Sequence, residues 1–186
     1  MIPNDRGVLE TPTGIELRPA SLPWILIAAQ STEDARVSEA LEGAIAWWDS
    51  ELRQHGLEAD LFLLAEEPRG NCPIARVTVG SISDDCIEVE PSRIIARTTL
   101  YWGGQGLIQV ATICVSRDLA YHEPTVQWAL RHELGHLLGL DDDPPRLDLG
   151  SLMSSPPLDW YRLTERDLKI VRALIDANRD APRCLG

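Results

Sequence analysis

The order of hydrophobic and polar residues along this 186-residue chain predicts both strands and helices. Short apolar or alternating runs bounded by glycine, proline and charged residues are typical of strands. Such runs occupy residues 22–27, 74–82, 97–102 and 107–115. Residues 33–52 have apolar side chains on one face at helical spacing, and they predict a long helix. The glycine-rich stretch from Gly103 to Gly106 predicts the turn between the last two strands.

A second helix is predicted over residues 124–138, where apolar side chains recur every three or four positions. This apolar stripe consists of Val126, Leu130, Leu134 and Leu137. Pro124 suits the first position of the helix. Gly139 suits the cap at its end, where a left-handed residue lets the chain turn sharply.

Two histidines lie on this helix outside the apolar stripe. His132 and His136 are four residues apart and project from one face, as two ligands of one Zn²⁺ require. Glu133 lies beside them, where it can accept a proton from a metal-activated water without binding the metal. Beyond the turn at Gly139, Asp142 can return toward the histidines as a third ligand, which leaves a fourth position for water. The alternative is an amphipathic helix with surface histidines and a solvated acidic loop.

The pattern H-E-x-x-H-x-x-G-x-x-D from His132 to Asp142 resembles the signature of the metzincin metallopeptidases, in which a third histidine takes the last position. The aspartate resembles the small bacterial snapalysin-type members, and the flanking segments are similar to matrixins. The resemblance implies Zn²⁺ bound by His132, His136 and Asp142, with Glu133 as the catalytic base. It also implies that Met153 belongs to a methionine-containing turn (Met-turn) beneath the metal.

The same resemblance implies an α+β fold, the metzincin catalytic domain. We expect a twisted, mostly parallel sheet of about five strands with an antiparallel edge strand, a zinc helix, the Met-turn and a C-terminal helix. The C-terminal helix would open with the run from Leu163 to Asp167, and the run from Gly106 to Asp118 is similar to the edge strand that pairs with the substrate backbone. The implied substrate-binding residues are Leu107, Ile108, Gln109, Val110, Ala111, Trp160 and Tyr161. For Trp160, packing in the core is the alternative role.

The length and composition predict one domain, residues 21–186, preceded by an N-terminal arm, residues 1–20, that is flexible or lies along the surface. No uninterrupted apolar run reaches the length of about 18 residues that would predict a membrane span. The first residues lack the pattern of a signal peptide, so we expect either that the protein is not exported by that route or that this is a mature or trimmed form. We expect a monomer located outside the cell or in the periplasm.

The formal net charge of −12 argues against a nucleic-acid partner, because binding to phosphates needs a positive surface. The acidity either steers basic or neutral peptides toward the protein or only keeps the protein soluble. Asp141, Asp142 and Asp143 form an acidic cluster that could bind Ca²⁺, although three consecutive aspartates do not match a defined calcium loop.

Four cysteines, Cys72, Cys86, Cys114 and Cys184, fit two disulfides in an oxidising compartment. Cys72 and Cys86 flank a strand-like run and could clip a hairpin, but three connectivities are possible, and buried free thiols are an alternative. The C-terminal Pro-Arg-Cys ending at Cys184 is similar to the latency motif of matrixin pro-segments. A thiolate of Cys184 could then block the metal, whereas a disulfide or a free thiol on a frayed tail are the competing interpretations.

These observations predict a zinc-dependent endopeptidase that hydrolyses the peptide bonds of a peptide or protein substrate with a metal-activated water. The alternative from another class is a zinc-holding binding protein of the same fold that has lost turnover. A third possibility is that the chain is the minimal catalytic module of a larger enzyme. The intact Glu133 favours hydrolysis, because a site that only holds zinc does not need a base.

Overall fold

Strands and helices alternate along the chain in the computed structural model, which describes residues 8–11, 13–28, 34–80, 96–116, 123–142, 151–153, 162–179 and 184. The predicted α+β class with a mostly parallel sheet is confirmed. In chain order the elements are β1 (Arg18–Pro19), β2 (Trp24–Ala28), α1 (Asp34–Gln54), β3 (Phe62–Leu64), β4 (Ile74–Gly80), β5 (Ala96–Trp102), β6 (Leu107–Ser116), α2 (Glu123–Leu137) and α3 (Glu165–Asn178).

The sheet has the strand order β1-β6-β4-β2-β3, with every pair in this path parallel. Strand β5 is the antiparallel member, and it pairs with the other side of β6 through a short turn at Gly104–Gly106. The prediction that the run from Gly106 to Asp118 contains the edge strand is therefore wrong, because β6 has strand partners on both sides. The physical reason is burial: Ile108, Ala111, Ile113 and Val115 are fully buried, as in an interior strand, whereas most of β5 is exposed.

The core lies between one face of the sheet and the helices, and two tryptophans tie α2 to it. Trp24 on β2 donates its indole N–H to the carbonyl oxygen of Leu137, at the end of α2, over 3.0 Å. Trp48 on α1 donates to the carbonyl oxygen of Arg131 over 3.0 Å. Both rings are fully buried, so these bonds fix the position of α2 against β2 and α1. No helix in the described part of the chain is long and apolar enough to cross a membrane.

Parts of the predicted N-terminal arm pack against the rest of the domain. Leu9 and Leu17 are buried in the main core, and β1 adds two residues to the sheet beside β6.

The Thr164 side chain caps α3 by accepting a hydrogen bond from the Asp167 backbone N–H, and Asp167 accepts from the Thr164 backbone N–H in return. This capping box begins the C-terminal helix two residues after the start of the predicted run at Leu163.

A disulfide joins Cys72 to Cys184 across 112 positions of sequence. Of the three connectivities that the sequence left open, the clip between Cys72 and Cys86 is not the one formed, because tertiary packing brings the C-terminal cysteine to Cys72 instead. The latency hypothesis for Cys184 is wrong as well, since a sulfur in a disulfide is not a thiolate that can bind a metal. Cys114 is also disulfide-bonded, and Cys86 lies outside the described residues. Disulfides are typical of an oxidising compartment.

We expect the replacement Cys184→Ser to lower the free energy of unfolding substantially. Closing a loop of this length removes chain entropy from the unfolded state, and the corresponding stabilisation is about 4–5 kcal/mol. Urea unfolding followed by circular dichroism measures the change. Cys72→Ser is the matched control: it should cause the same loss, and the double variant should lose no more than either single variant. Additive losses in the double variant would contradict a shared bond.

Candidate metal centre

Helix α2 presents a fully apolar side to the core and a polar side to the candidate site. The predicted apolar stripe, Val126, Leu130, Leu134 and Leu137, is buried throughout. His132 and Glu133 are also almost fully buried, with 7% and 5% of their surface exposed, and His136 is partly buried. The histidines therefore line a sheltered position at the domain surface, as their place outside the stripe predicted.

Each histidine ring is held by a hydrogen bond from its Nδ1 atom to a backbone carbonyl. The Nδ1 atom of His132 lies 2.9 Å from the oxygen of Leu152, and the Nδ1 atom of His136 lies 2.8 Å from the oxygen of Leu140. Because a carbonyl can only accept, each Nδ1 atom carries a proton, and in the neutral rings the Nε2 atoms are the ones that can bind a metal. This arrangement orients histidine ligands toward a metal and raises their basicity.

Asp142 completes a group of three side chains that could hold a metal ion. Its Oδ1 atom lies 3.0 Å from Nε2 of His132 and 3.6 Å from Nε2 of His136, and the three potential ligand atoms all lie within 4.8 Å of one another. The neighbouring Asp141 has another role: its Oδ1 accepts a hydrogen bond from the backbone N–H of Asp142 over 3.0 Å. Asp142 is thus the aspartate that faces the histidines, and Asp143 lies outside the described residues.

The pKa directions of His132 and Asp142 reflect the attraction between these two groups. Burial alone would lower the pKa of His132, but the hydrogen bond to Asp142 and the charges of Glu133 and Asp142 outweigh it and raise that pKa. Burial alone would raise the pKa of Asp142, but the hydrogen bond from His132 and the charges of both histidines outweigh it and lower that pKa. Both directions follow from the pairing of the two groups, and the carboxylates of Asp142 and Glu133 that raise the pKa of His132 would also attract a metal cation.

Glu133 lies next to the three ligand candidates without belonging to their group. Its Oε2 atom is buried and has no hydrogen-bond partner among the described residues. A buried carboxylate oxygen without a partner is unfavourable for stability, and such groups are concentrated at functional sites. The Glu133 main chain is also tied to β5, since the Glu133 carbonyl oxygen accepts a hydrogen bond from the Thr98 hydroxyl over 3.3 Å.

Trp128 forms one wall of the site, although it belongs to none of the motifs in the sequence. Its ring lies 5.3 Å from the ring of His132, centroid to centroid, and it is almost fully buried. Trp128 precedes His132 by four residues, so helical spacing alone places the two side chains together and is the signal that was available. Thr98 left no comparable signal, because its contact with α2 depends on how β5 docks against the helix.

Met153 is fully buried and packs against α2 at Gly135. A Cβ atom built on Gly135 would lie only 2.6 Å from the Sδ atom of Met153, so a glycine is needed in the middle of α2 for this contact. The backbone N–H of Met153 donates to the Ser151 hydroxyl over 3.1 Å, which fixes the turn. The segment that supplies Met153 also supplies the Leu152 carbonyl that orients His132.

The predicted substrate-binding strand does not offer a free edge. Leu107 to Ala111 belong to β6, whose main chain pairs with β1 and β4 on one side and with β5 on the other. Assignment of Leu107, Ile108, Gln109, Val110 and Ala111 as residues that pair with a substrate strand is therefore wrong: their backbone groups are already used within the sheet. The other two predicted residues, Trp160 and Tyr161, lie outside the described residues.

No protein-family model and no curated protein matches this chain. Function must then be argued from the site itself, because a fold class alone hosts many unrelated activities. The relevant facts are the three converging ligand atoms, the fixed tautomers of the two histidines and the buried carboxylate of Glu133.

We expect Asp142→Ala to weaken the binding of a divalent metal ion by more than about 100-fold, since loss of mere outer partners of a metal ligand already costs about 10- to 100-fold. Cobalt(II) titration monitored by absorbance measures the affinity. Asp141→Asn is the matched control, because asparagine keeps an oxygen that can accept from the Asp142 N–H. An equal loss in both variants would contradict the assignment of Asp142 as the ligand.

A second substitution tests the contact between α2 and Met153. We expect Gly135→Ala to destabilise the protein by about 1–3 kcal/mol, because the new methyl group would overlap the Met153 sulfur. Gly43→Ala in α1 is the control: its nearest atom, in the Gln127 side chain, is 3.4 Å away, and alanine should stabilise that helix by about 0.5–1 kcal/mol. Urea unfolding compares the two, and a stabilising Gly135→Ala would contradict the close contact.

Proposed function

We propose that the protein is a zinc-dependent endopeptidase with a metzincin-like catalytic domain. One observation carries the proposal: the Nε2 atoms of His132 and His136 converge with a carboxylate oxygen of Asp142, while the buried carboxylate of Glu133 lies alongside without binding in that group. Three ligands with a neighbouring base are typical of hydrolytic zinc sites, whereas structural zinc sites have four protein ligands.

The donor set fits zinc. Two imidazole nitrogens favour zinc or another first-row transition metal over calcium and magnesium, which prefer oxygen ligands. In a tetrahedral site with metal–ligand bonds of about 2.0–2.1 Å, neighbouring ligand atoms are about 3.3 Å apart. The distances of 3.0 and 3.6 Å from Asp142 Oδ1 to the two histidine nitrogens lie on either side of that value, in a group whose ligand atoms lie within 4.8 Å of one another, so the side chains would close in slightly around a bound ion. The choice of zinc among these metals follows the resemblance of the motif to metzincins.

In this mechanism three side chains would bind the metal ion, and the Glu133 carboxylate would transfer a proton from the attacking water to the leaving amine. When bound, zinc supplies a Lewis acid for the scissile carbonyl and a water that ionises near neutral pH. His132, His136 and Asp142 would hold the ion; the Nδ1 hydrogen bonds orient the two histidine rings, and the Asp141 side chain fixes the Asp142 main chain. Glu133 accepts a proton as the water oxygen bonds to the carbonyl carbon, and it delivers that proton to the amine nitrogen as the C–N bond breaks.

We propose that an extended substrate pairs with β5, in place of the incorrectly predicted β6. Among the described residues β5 has a strand partner on one side only, so its other edge can take an added strand. The strand also lies next to the base, because the Thr98 hydroxyl on β5 donates to the carbonyl oxygen of Glu133. Main-chain pairing along this edge would hold an unfolded peptide segment near the metal.

The disulfide between Cys72 and Cys184 supports an extracellular or periplasmic location for this activity, because such bonds persist in oxidising compartments. The Glu133 Oε2 atom, which is buried without a hydrogen-bond partner among the described residues, favours hydrolysis over the alternative of a zinc-holding binding protein. A protein that only holds zinc gains nothing from this destabilising group.

We expect Glu133→Gln to lower the rate of cleavage of an unstructured protein such as casein by about 10²–10⁴-fold while the protein keeps its zinc. The amide fills the same space as the carboxylate but cannot accept the proton. Cleavage is measured together with zinc content, with and without a chelator, and zinc added back should restore the wild-type activity. Glu58→Gln, which removes a charge from an exposed loop position, is the matched control and should remain active. Full activity in zinc-loaded Glu133→Gln would overturn the proposal.

A further inference from the structure

The N-terminal residues form a small hairpin that fits closely against the domain. The backbone N–H of Thr11 donates to the Ile15 oxygen over 2.9 Å, and that of Leu17 donates to the Leu9 oxygen over 2.8 Å. Glu10 and Glu16 form an antiparallel bridge between these two bonds. We name residues 8–11 and 13–18 the arm hairpin.

Two glycines lie close to the backbone of the arm hairpin, at the neighbouring residues Glu16 and Leu17. A Cβ atom on Gly106, in the turn before β6, would lie 2.3 Å from the Glu16 oxygen. A Cβ atom on Gly139, in the turn after α2, would lie 2.5 Å from the Leu17 oxygen. Both glycines also have positive φ angles, of 72° and 85°. The arm backbone therefore lies so close to both turns that neither glycine has room for a methyl group.

The arm hairpin is hydrogen-bonded to the turn at Gly139 and Leu140, which lies between the ligand candidates His136 and Asp142. The backbone N–H of Leu9 donates to the Gly139 oxygen over 2.8 Å, and Val8 forms an antiparallel bridge with Leu140. The carbonyl oxygen of Leu140 is the acceptor that orients His136. Asp142 follows two residues later, so a short path of main-chain bonds joins the arm to two of the three ligand candidates.

We propose that the arm hairpin is a positioning element of the metal centre. It holds the Gly139–Leu140 turn in the conformation that aims the Nε2 atom of His136 and the carboxylate of Asp142 at one point. Without it the turn has more conformations available, and metal binding must then select one of them, which lowers affinity. The inference rests on the proposed function only in requiring that the site binds zinc.

Wild-type protein provides the first test, because coupling between two sites is reciprocal. If the arm orders the metal centre, then saturating zinc must stabilise the arm. We expect zinc to slow hydrogen exchange of the Leu9 amide by about 5- to 150-fold, the usual range of such coupling. The Gly56 amide, which donates to the Arg53 oxygen in the turn after α1, is the internal control and should exchange at an unchanged rate.

The second test displaces the arm without touching a ligand. Gly106→Ala places a methyl group against the Glu16 oxygen, and Gly106 itself is not part of the turn at Gly139. We expect the zinc dissociation constant, measured by competition with a chromophoric chelator, to rise at least about fivefold. Gly56→Ala is the matched control: its φ of 69° gives a similar backbone penalty, but its methyl group would meet nothing within 4 Å. Its zinc affinity should stay within about twofold of the wild type.

The outcomes separate the two proposals. A folded Gly106→Ala protein that binds zinc as tightly as the wild type would overturn the positioning role and leave the zinc site standing. If circular dichroism shows that this variant does not fold, the exchange measurement decides alone, and an unchanged Leu9 amide rate overturns the role. A wild-type protein that binds no zinc would overturn the proposed function and this inference together.

Discussion

The candidate metal centre depends on two hydrogen bonds that fix the imidazole rings of His132 and His136. Each ring donates a hydrogen bond from its Nδ1 atom to a backbone carbonyl, that of Leu152 for His132 and that of Leu140 for His136. These bonds turn the Nε2 atoms toward Asp142. A histidine without such a partner has two tautomers and a freely rotating ring, and it binds a metal more weakly. Both acceptor carbonyls belong to irregular segments outside α2, so the geometry of the helix alone does not position them. The rest of the structure must hold them in place.

The surrounding structure holds those two carbonyls in place. The Leu152 N–H donates to the Arg162 oxygen, so the segment of Met153 is anchored to the residues that precede α3. The Leu140 N–H donates to the Gly135 oxygen, and the arm residues adjoin the same turn. Gly135 and Gly139 permit these approaches, since a side chain at either position would collide with Met153 or with the Leu17 backbone. Helix α2 therefore acts both as part of the core and as the frame of the site.

Stability and chemistry make opposite demands on α2. One side of the helix is buried apolar surface, and the tryptophan bonds from Trp24 and Trp48 hold its backbone. The other side buries the Glu133 carboxylate oxygen and the Trp128 indole N–H without hydrogen-bond partners among the described residues. Buried polar groups of this kind are destabilising, and a well-packed core with a long-range disulfide offsets the effect. The same negative environment that raises the pKa of His132 is what a cation needs.

The sequence by itself determined the local parts of this protein. Helical periodicity located the long helix and the helix of His132 and His136, and a spacing of four residues put both histidines on one face. Gly139, with its positive φ, turns the chain as its position after the helix predicted, and Asp142 returns to the histidines. These features depend on residues close together in the chain, so short-range geometry is sufficient to predict them.

Only the tertiary structure decided which elements meet. The runs that became β5 and β6 both predicted strands joined by a glycine-rich turn, and pairing with β1 and β4 made β6 the interior strand. Cys72 bonds to Cys184, 112 residues away, because packing brings the C-terminal segment to it. Likewise, the carbonyl that orients His132 lies twenty residues along the chain. Such contacts are set by the burial of whole faces and by the path of the backbone, and no local pattern of residue types encodes them.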